Sequence, residues 1–218
     1  MRNIKIIRFI SLIMTVLPTI LTLISFKYMP ETVPTHYGVD GMVDGYGSKY
    51  SLLTLPVICI IMSVIMMAVA YFYRKEKAEA GKISNSEAIY FINIALLAVF
   101  SIMTGNMIYT SMKGITDLNT LAVPFDSIMF GLIGVLYIAI GVVISKLGKN
   151  SNSFGNSIQY RSEKTPKRIG KTFVVIGIIN IIFNVFSRNT LLSVFFFIFI
   201  SLIGTFIALY YAATDKKD

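Results

Sequence analysis

"SLLTLPVICIIMSVIMMAVAYFY", residues 51–73, carries no charged side chain over twenty-three positions. A bilayer's hydrocarbon core is crossed by about 17 to 25 helical residues, so this run is long enough to span. Five further runs, 9–26, 87–112, 125–147, 169–186 and 190–212, have the same character. Backbone groups in lipid must find partners within their own segment, which predicts helices, and the alternation of a membrane barrel is missing. The expected fold class is all-α: an integral membrane protein of six transmembrane helices, one membrane domain over residues 1–218.

The composition agrees. Hydrophobic residues make up 55% of the 218-residue chain, charged residues 14%, and the mean hydropathy is +0.72. Such values lie far outside the range of soluble domains. Arg2, Lys5 and Arg8 precede the first run as in a signal peptide, but no alanine occurs before Ala68 to form a small-residue cleavage site. The first run therefore reads as an uncleaved helix.

Basic residues set the expected orientation. Alternate connecting segments carry sixteen Lys and Arg on one side and four on the other. The rich side is cytoplasmic by the positive-inside rule, which puts both termini inside a bacterial plasma membrane and residues 27–50 outside. The net charge of +9 then faces anionic headgroups and calls for no nucleic-acid partner. The basic loop 146–171 concentrates seven of these residues against one acid, Glu163.

Catalytic and metal chemistry have little to build on. One histidine and one cysteine, Cys59, exclude both a disulfide within the chain and the Cys/His constellations of membrane metalloproteases. No phosphate-binding glycine loop is present. The reading is no enzyme, no cofactor and no metal. The polar residues inside the runs are amides and hydroxyls: Asn180 and Asn184 share a helix face, with Asn93 and Asn106 as candidate partners. Small residues at helix-packing spacing, Ser127 with Gly131, Gly141 with Ser145, and Gly204 with Ala208 and Ala212, mark faces that pack within the bundle or between protomers.

The segment between the first two runs, "YMPETVPTHYGVDGMVDGYGSKY" (28–50), is of another kind. It holds the only histidine, two of six prolines, four glycines and three acids. Pro30 and Pro34 disfavour helix before them, Asp44-Gly45 signals a turn, and Val33, Tyr37 and Tyr46 supply packing groups, so an ordered loop is expected. His36, Asp40 and Asp44 are spaced four apart, yet the glycines argue against a helix that would align them on a metal. His36 is expected to hydrogen-bond Asp44 or loop backbone instead.

This order, with "LP" following, resembles the N-terminal helical hairpin of SdpI/YfhL-type membrane immunity proteins: Pro34, His36, Gly41, Asp44 and Lys49 fall on its signature, and Pro56 opens the next helix. "NSNSFGNSIQYRS" (150–162) is similar to the family's cytoplasmic motif, with Asn152, Gly155 and Arg161 as counterparts, although the family's following tryptophan has no equivalent in a chain without Trp. The resemblance implies protection of the producing cell against a membrane-active toxin peptide, and a signalling role through a cytosolic regulator. The peptide site would then involve Pro34, His36, Asp40, Gly41, Asp44 and Lys49, and the regulator site Asn152, Gly155, Arg161, Lys164, Lys167 and Arg168. A small-solute or lipid transporter or its accessory subunit, and a structural membrane protein, are the alternatives. A transporter would depend on Asn93, Asn180 and Asn184 more than on the loop.

Overall fold

The computed structural model describes residues 4–38, 40–75, 81–121, 125–147, 162, 164–187 and 190–214. Six helices are long and apolar enough to cross a membrane: α1 (Ile4–Ser25), α2 (Thr54–Phe72), α3 (Asn85–Lys113), α4 (Phe125–Ser145), α5 (Lys164–Phe186) and α6 (Thr190–Thr214). The protein is a multi-pass membrane protein, in contact with lipid. Three helices begin earlier than their apolar runs: α1 starts at Ile4, α3 at Asn85 and α5 at Lys164, so Lys5 and Arg8 lie in the first turns of α1, and Lys164, Lys167 and Arg168 in those of α5. Lys164, Lys167 and Arg168 are therefore helical and exposed, not part of a loop.

The all-α expectation needs one addition. Residues 28–50 contain an antiparallel hairpin, β1 (Thr32–Tyr37) and β2 (Val43–Ser48), followed by a 3-10 turn at Lys49–Leu53 that leads into α2. Six-residue strands with prolines and glycines give too weak a pattern to separate from an irregular loop.

Polarity runs inside out relative to a soluble bundle. The buried stripe of α1 is Ile7, Ser11, Thr15, Pro18, Thr22 and Ser25, while Phe9, Leu12, Val16 and Ile20 are exposed. Apolar side chains lose nothing by facing lipid, whereas hydroxyls gain partners inside. Asn93 on α3 donates to Ser11 Oγ at 2.8 Å and Ser63 Oγ at 2.9 Å, and Ser63 lies 2.6 Å from Thr15 Oγ1, tying α1, α2 and α3 together. On α5, Asn180 donates to the Phe130 carbonyl of α4 at 2.7 Å, and Asn184 donates to the Asn180 carbonyl at 2.8 Å. The anticipated partnership between these two groups of asparagines does not form: Asn93 belongs to the first three helices, and Asn106 bonds its own helix at Ile102. Each contact of this kind is worth about 1 kcal/mol or less.

The most extensively packed pair is α4 with α5. A Cβ at Gly141 would lie 2.5 Å from the Gly170 carbonyl oxygen, one at Gly177 would lie 2.5 Å from the Gly134 carbonyl oxygen, and one at Gly170 would collide with the Gly141 carbonyl and with Ser145. Seven residues separate the two contacts on each helix, which places them two turns apart along an antiparallel seam. Gly204 of α6 is closed off by Ile176 of α5. Gly141 and Gly204 thus pack within the chain. Gly131, by contrast, faces open space, and the side chain of Ser127 lies outside those described.

At the opposite end from the hairpin, Ser84 caps α3 in a reciprocal box with Glu87, and Ile83 donates to the Lys146 carbonyl at 3.0 Å. Ile83, Ala88, Val143 and Leu147 form the apolar contact that joins α3 to α4 there.

Candidate functional site

The hairpin is anchored by Val33, fully buried with Met29 and Leu52 against Met107 and Ile108 of α3. Two register shifts follow on β1 and β2. Thr32 pairs with Ser48 and Pro34 with Tyr46, after which His36 pairs with Gly45 and Tyr37 with Val43. Such bulges leave Thr35 and Asp44 without directly opposed residues and re-aim them.

Asp44 thereby meets His36, whose Nδ1 lies 2.5 Å from Asp44 Oδ1, with both side chains exposed. At the foot, Lys49 Nζ donates to Glu31 Oε1 at 2.8 Å, and the Lys49 amide donates to the Glu31 carbonyl at 3.0 Å. Lys49 also lies over the Tyr50 ring at 5.8 Å. At the tip, Asp40 Oδ1 accepts from the Met42 amide at 3.0 Å, and Gly41 takes φ +81°, a conformation L side chains rarely adopt. Among the described residues no group of three His, Cys, Asp or Glu is placed to hold a metal ion.

The hairpin does not stand alone. Gly114 ends α3 in the left-handed conformation at φ 62° and turns residues 115–121 back across the strands. Tyr37 Oη donates to the Ile115 carbonyl at 2.9 Å, Val43 N to Thr116 O at 2.9 Å, Leu118 N to Gly41 O at 2.9 Å, and Asn119 Nδ2 to the Asp40 carbonyl at 2.8 Å. Burial pushes the Tyr37 phenol above its usual range. Two connections distant in sequence thus form one cap over the end of the bundle. Sequence reading missed Ile115 to Asn119. The local signal was Asp117, whose side chain accepts from the Asn119 amide at 2.9 Å in an Asx turn, but its partner 79 residues away left no trace.

Of the residues singled out by sequence, Pro34, His36, Asp40, Gly41, Asp44 and Lys49 are brought together in this cap. Lys164, Lys167 and Arg168 lie at the other end of the bundle, with Arg168 5.5 Å from the Tyr211 ring of α6. Asn152, Gly155 and Arg161 lie outside the described residues.

Residues 13–60 match the model of a domain of unknown function, DUF1648. The matched segment runs from the middle of α1 through the whole hairpin into α2. Sixty residues are 37% identical to an uncharacterized protein of Archaeoglobus fulgidus, covering 28% of this chain and 33% of that protein. The chain therefore spans about a third of the length of the curated relative it matches. No solved structure matches.

Proposed function

We propose that this chain is a membrane immunity protein: it protects its cell against an antimicrobial or toxin peptide, with the cap as part of the contact surface. The observation that carries the reading is the cap's construction. Acidic and aromatic groups, Glu31, Asp40, Asp44 and Tyr46, are displayed on a hairpin held by Val33 below and by residues 115–119 alongside. A cationic amphipathic helix binds membranes through its charge and its apolar face, and a rigid acidic and aromatic surface complements both. The resemblance of the same hairpin to SdpI/YfhL-type proteins adds support.

Expression in a peptide-sensitive bacterium tests this. Survival against a panel of cationic membrane-active peptides should rise with the intact chain. His36→Ala and Asp44→Ala should each reduce protection about two- to fivefold, the scale of an exposed pair worth up to about 1 kcal/mol, while Asn184→Ala should retain it. If expression changes no peptide's potency, immunity is excluded; loss confined to the asparagine variant would favour transport. The buried amides do not favour that reading, because they bond within two separate helix groups.

In this reading the cap lies outside and both termini in the cytoplasm of a bacterial cell, an orientation supported by the sixteen-to-four asymmetry of basic residues. Cysteines at Thr35 and Ser157 in a Cys59→Ser background should label oppositely, the first from outside intact cells and the second only after permeabilisation. Labelling of both from one side would end the six-span topology. On the inner face, Asn152, Gly155, Arg161, Lys164, Lys167 and Arg168 would dock a cytosolic regulator, as the resemblance implies. Alanine at Arg161, Lys164, Lys167 and Arg168 together should then remove a partner from pull-downs of the full chain, and an unchanged set of partners would dismiss the signalling role.

A further inference from the structure

At the seam between hairpin and bundle lies a cavity of about 270 Å³. Thr35 of β1, Ser51 and Thr54 line it with hydroxyls, and Leu55, Ile58 and Met107 with apolar surface. None of the three hydroxyls has a hydrogen-bond partner among the described residues. Gly47 keeps the mouth open: a Cβ there would lie 2.9 Å from Thr35 Cγ2 and 3.1 Å from Ser51 Oγ, so any larger residue would press on two of the lining side chains.

We propose that this cavity receives one large aliphatic side chain of a cationic amphipathic peptide, an inference that rests on the immunity reading above. Size favours this occupant. The space suits one or two side chains, whereas a whole helix is about 10 Å across. Charge favours it as well. At this end of the molecule the described carboxylates Glu31, Asp40, Asp44 and Asp117 face Lys27, Lys49 and Lys113, one negative charge in excess within a chain of net +9. That small acidic excess matches a cationic partner better than an anionic headgroup. The peptide's aliphatic side chain would lie against Leu55, Ile58 and Met107 while the free hydroxyls bond polar groups of the peptide beside it.

The test uses the full chain in phosphatidylcholine nanodiscs and, as probe, a synthetic leucine–lysine amphipathic peptide carrying a photo-reactive leucine at one apolar position. Cross-links should map to Leu55, Ile58 or Met107. Thr54→Phe, at an exposed rim position, and Met107→Phe should each weaken binding at least about tenfold, with unchanged melting temperatures showing that both fold. Unchanged affinity in both variants overturns the cavity assignment and leaves the immunity reading standing. Absence of binding to the unaltered chain overturns both. Labelling of the cavity by a photo-reactive phosphatidylcholine acyl chain that the peptide does not displace also overturns it, in favour of lipid.

Discussion

Gly170→Leu should destabilise the folded protein by about 3 kcal/mol or more, the upper end of the range for overpacked interiors. Position 170 has no slack. A Cβ there meets the Gly141 carbonyl oxygen, which is backbone and cannot rotate away, and also the amide and Cβ of Ser145. A leucine must therefore force α4 and α5 apart, and the second contact two turns along, between Gly134 and Gly177, would open with them. The helix's own preference acts in the opposite sense, since glycine is about 1 kcal/mol worse than alanine in a helix interior, so the loss measured is a net value. Gly131→Leu is the matched control, because nothing lies within 4 Å of a Cβ built there. With the same gain in helix preference and no clash to oppose it, this variant should be as stable as the unaltered chain or up to about 1 kcal/mol more stable. Reversible unfolding in mixed detergent micelles, followed by circular dichroism, compares the two. Equal losses at both positions would show that the glycine seam does not hold the pair together.

Gly41→Val should release the cap without unfolding the bundle. The backbone at Gly41 has φ +81°, and a β-branched residue held there costs about 1–3 kcal/mol. Its Cβ would in addition lie 2.8 Å from Asn119 Nδ2, the group that binds the Asp40 carbonyl. Both effects fall on the same contact between hairpin and residues 115–119, so this contact opens first. The Val43 and Leu118 amides, which donate across the seam, should exchange with solvent about ten to a hundred times faster, each factor of ten corresponding to about 1.4 kcal/mol of opening free energy. Amides in the middle of α3 should keep their protection. Asn119→Ala, which removes the bond to the Asp40 carbonyl across the seam and a local one to Asp117 Oδ1 and adds no strain, should show a smaller version of the same change, about 1 kcal/mol at the seam. Unaltered exchange at Val43 and Leu118 in Gly41→Val would mean that the two connections do not brace each other.

The immunity reading depends on this bracing in a specific way. His36 and Asp44 are exposed and pair across a bulge, so their mutual orientation follows from the hairpin's register. The register is set at one end by Val33 in its buried niche and at the other by the contacts of Gly41 and Val43 with residues 116–118. Loosening the tip by Gly41→Val would therefore disturb the acidic surface without removing any of its groups.

How much of this was legible without coordinates depends on the range of the interaction concerned. The six spans followed from residues within each run, because lipid leaves a chain segment of that length one way to satisfy its own backbone groups. Their ends were less secure: apolar runs mark the hydrocarbon boundary, while helices such as α5 continue past it as far as their caps allow. The hairpin's residues declared order through Pro34, Gly41 and Asp44, and their neighbours in sequence were enough to suggest that His36 would bond Asp44 or backbone. Which glycines touch, by contrast, was not readable. Gly131 and Gly141 look alike in sequence, yet only Gly141 meets another helix, since the rotation of α4 about its axis is chosen by the surface of α5. The asparagines tell the same story, with Asn93 bonding Ser11 and Ser63 across helices and Asn106 turning to its own backbone. The pairing of Asn119 with Asp40 was likewise decided only when α3 brought residues 115–121 beside the hairpin. Local sequence determined the segments, their caps and their turns, because those depend on interactions within a few residues; the tertiary structure alone decided the seams, the composite cap and the cavity beneath it, because each is made by side chains whose meeting depends on how whole helices rotate and cross.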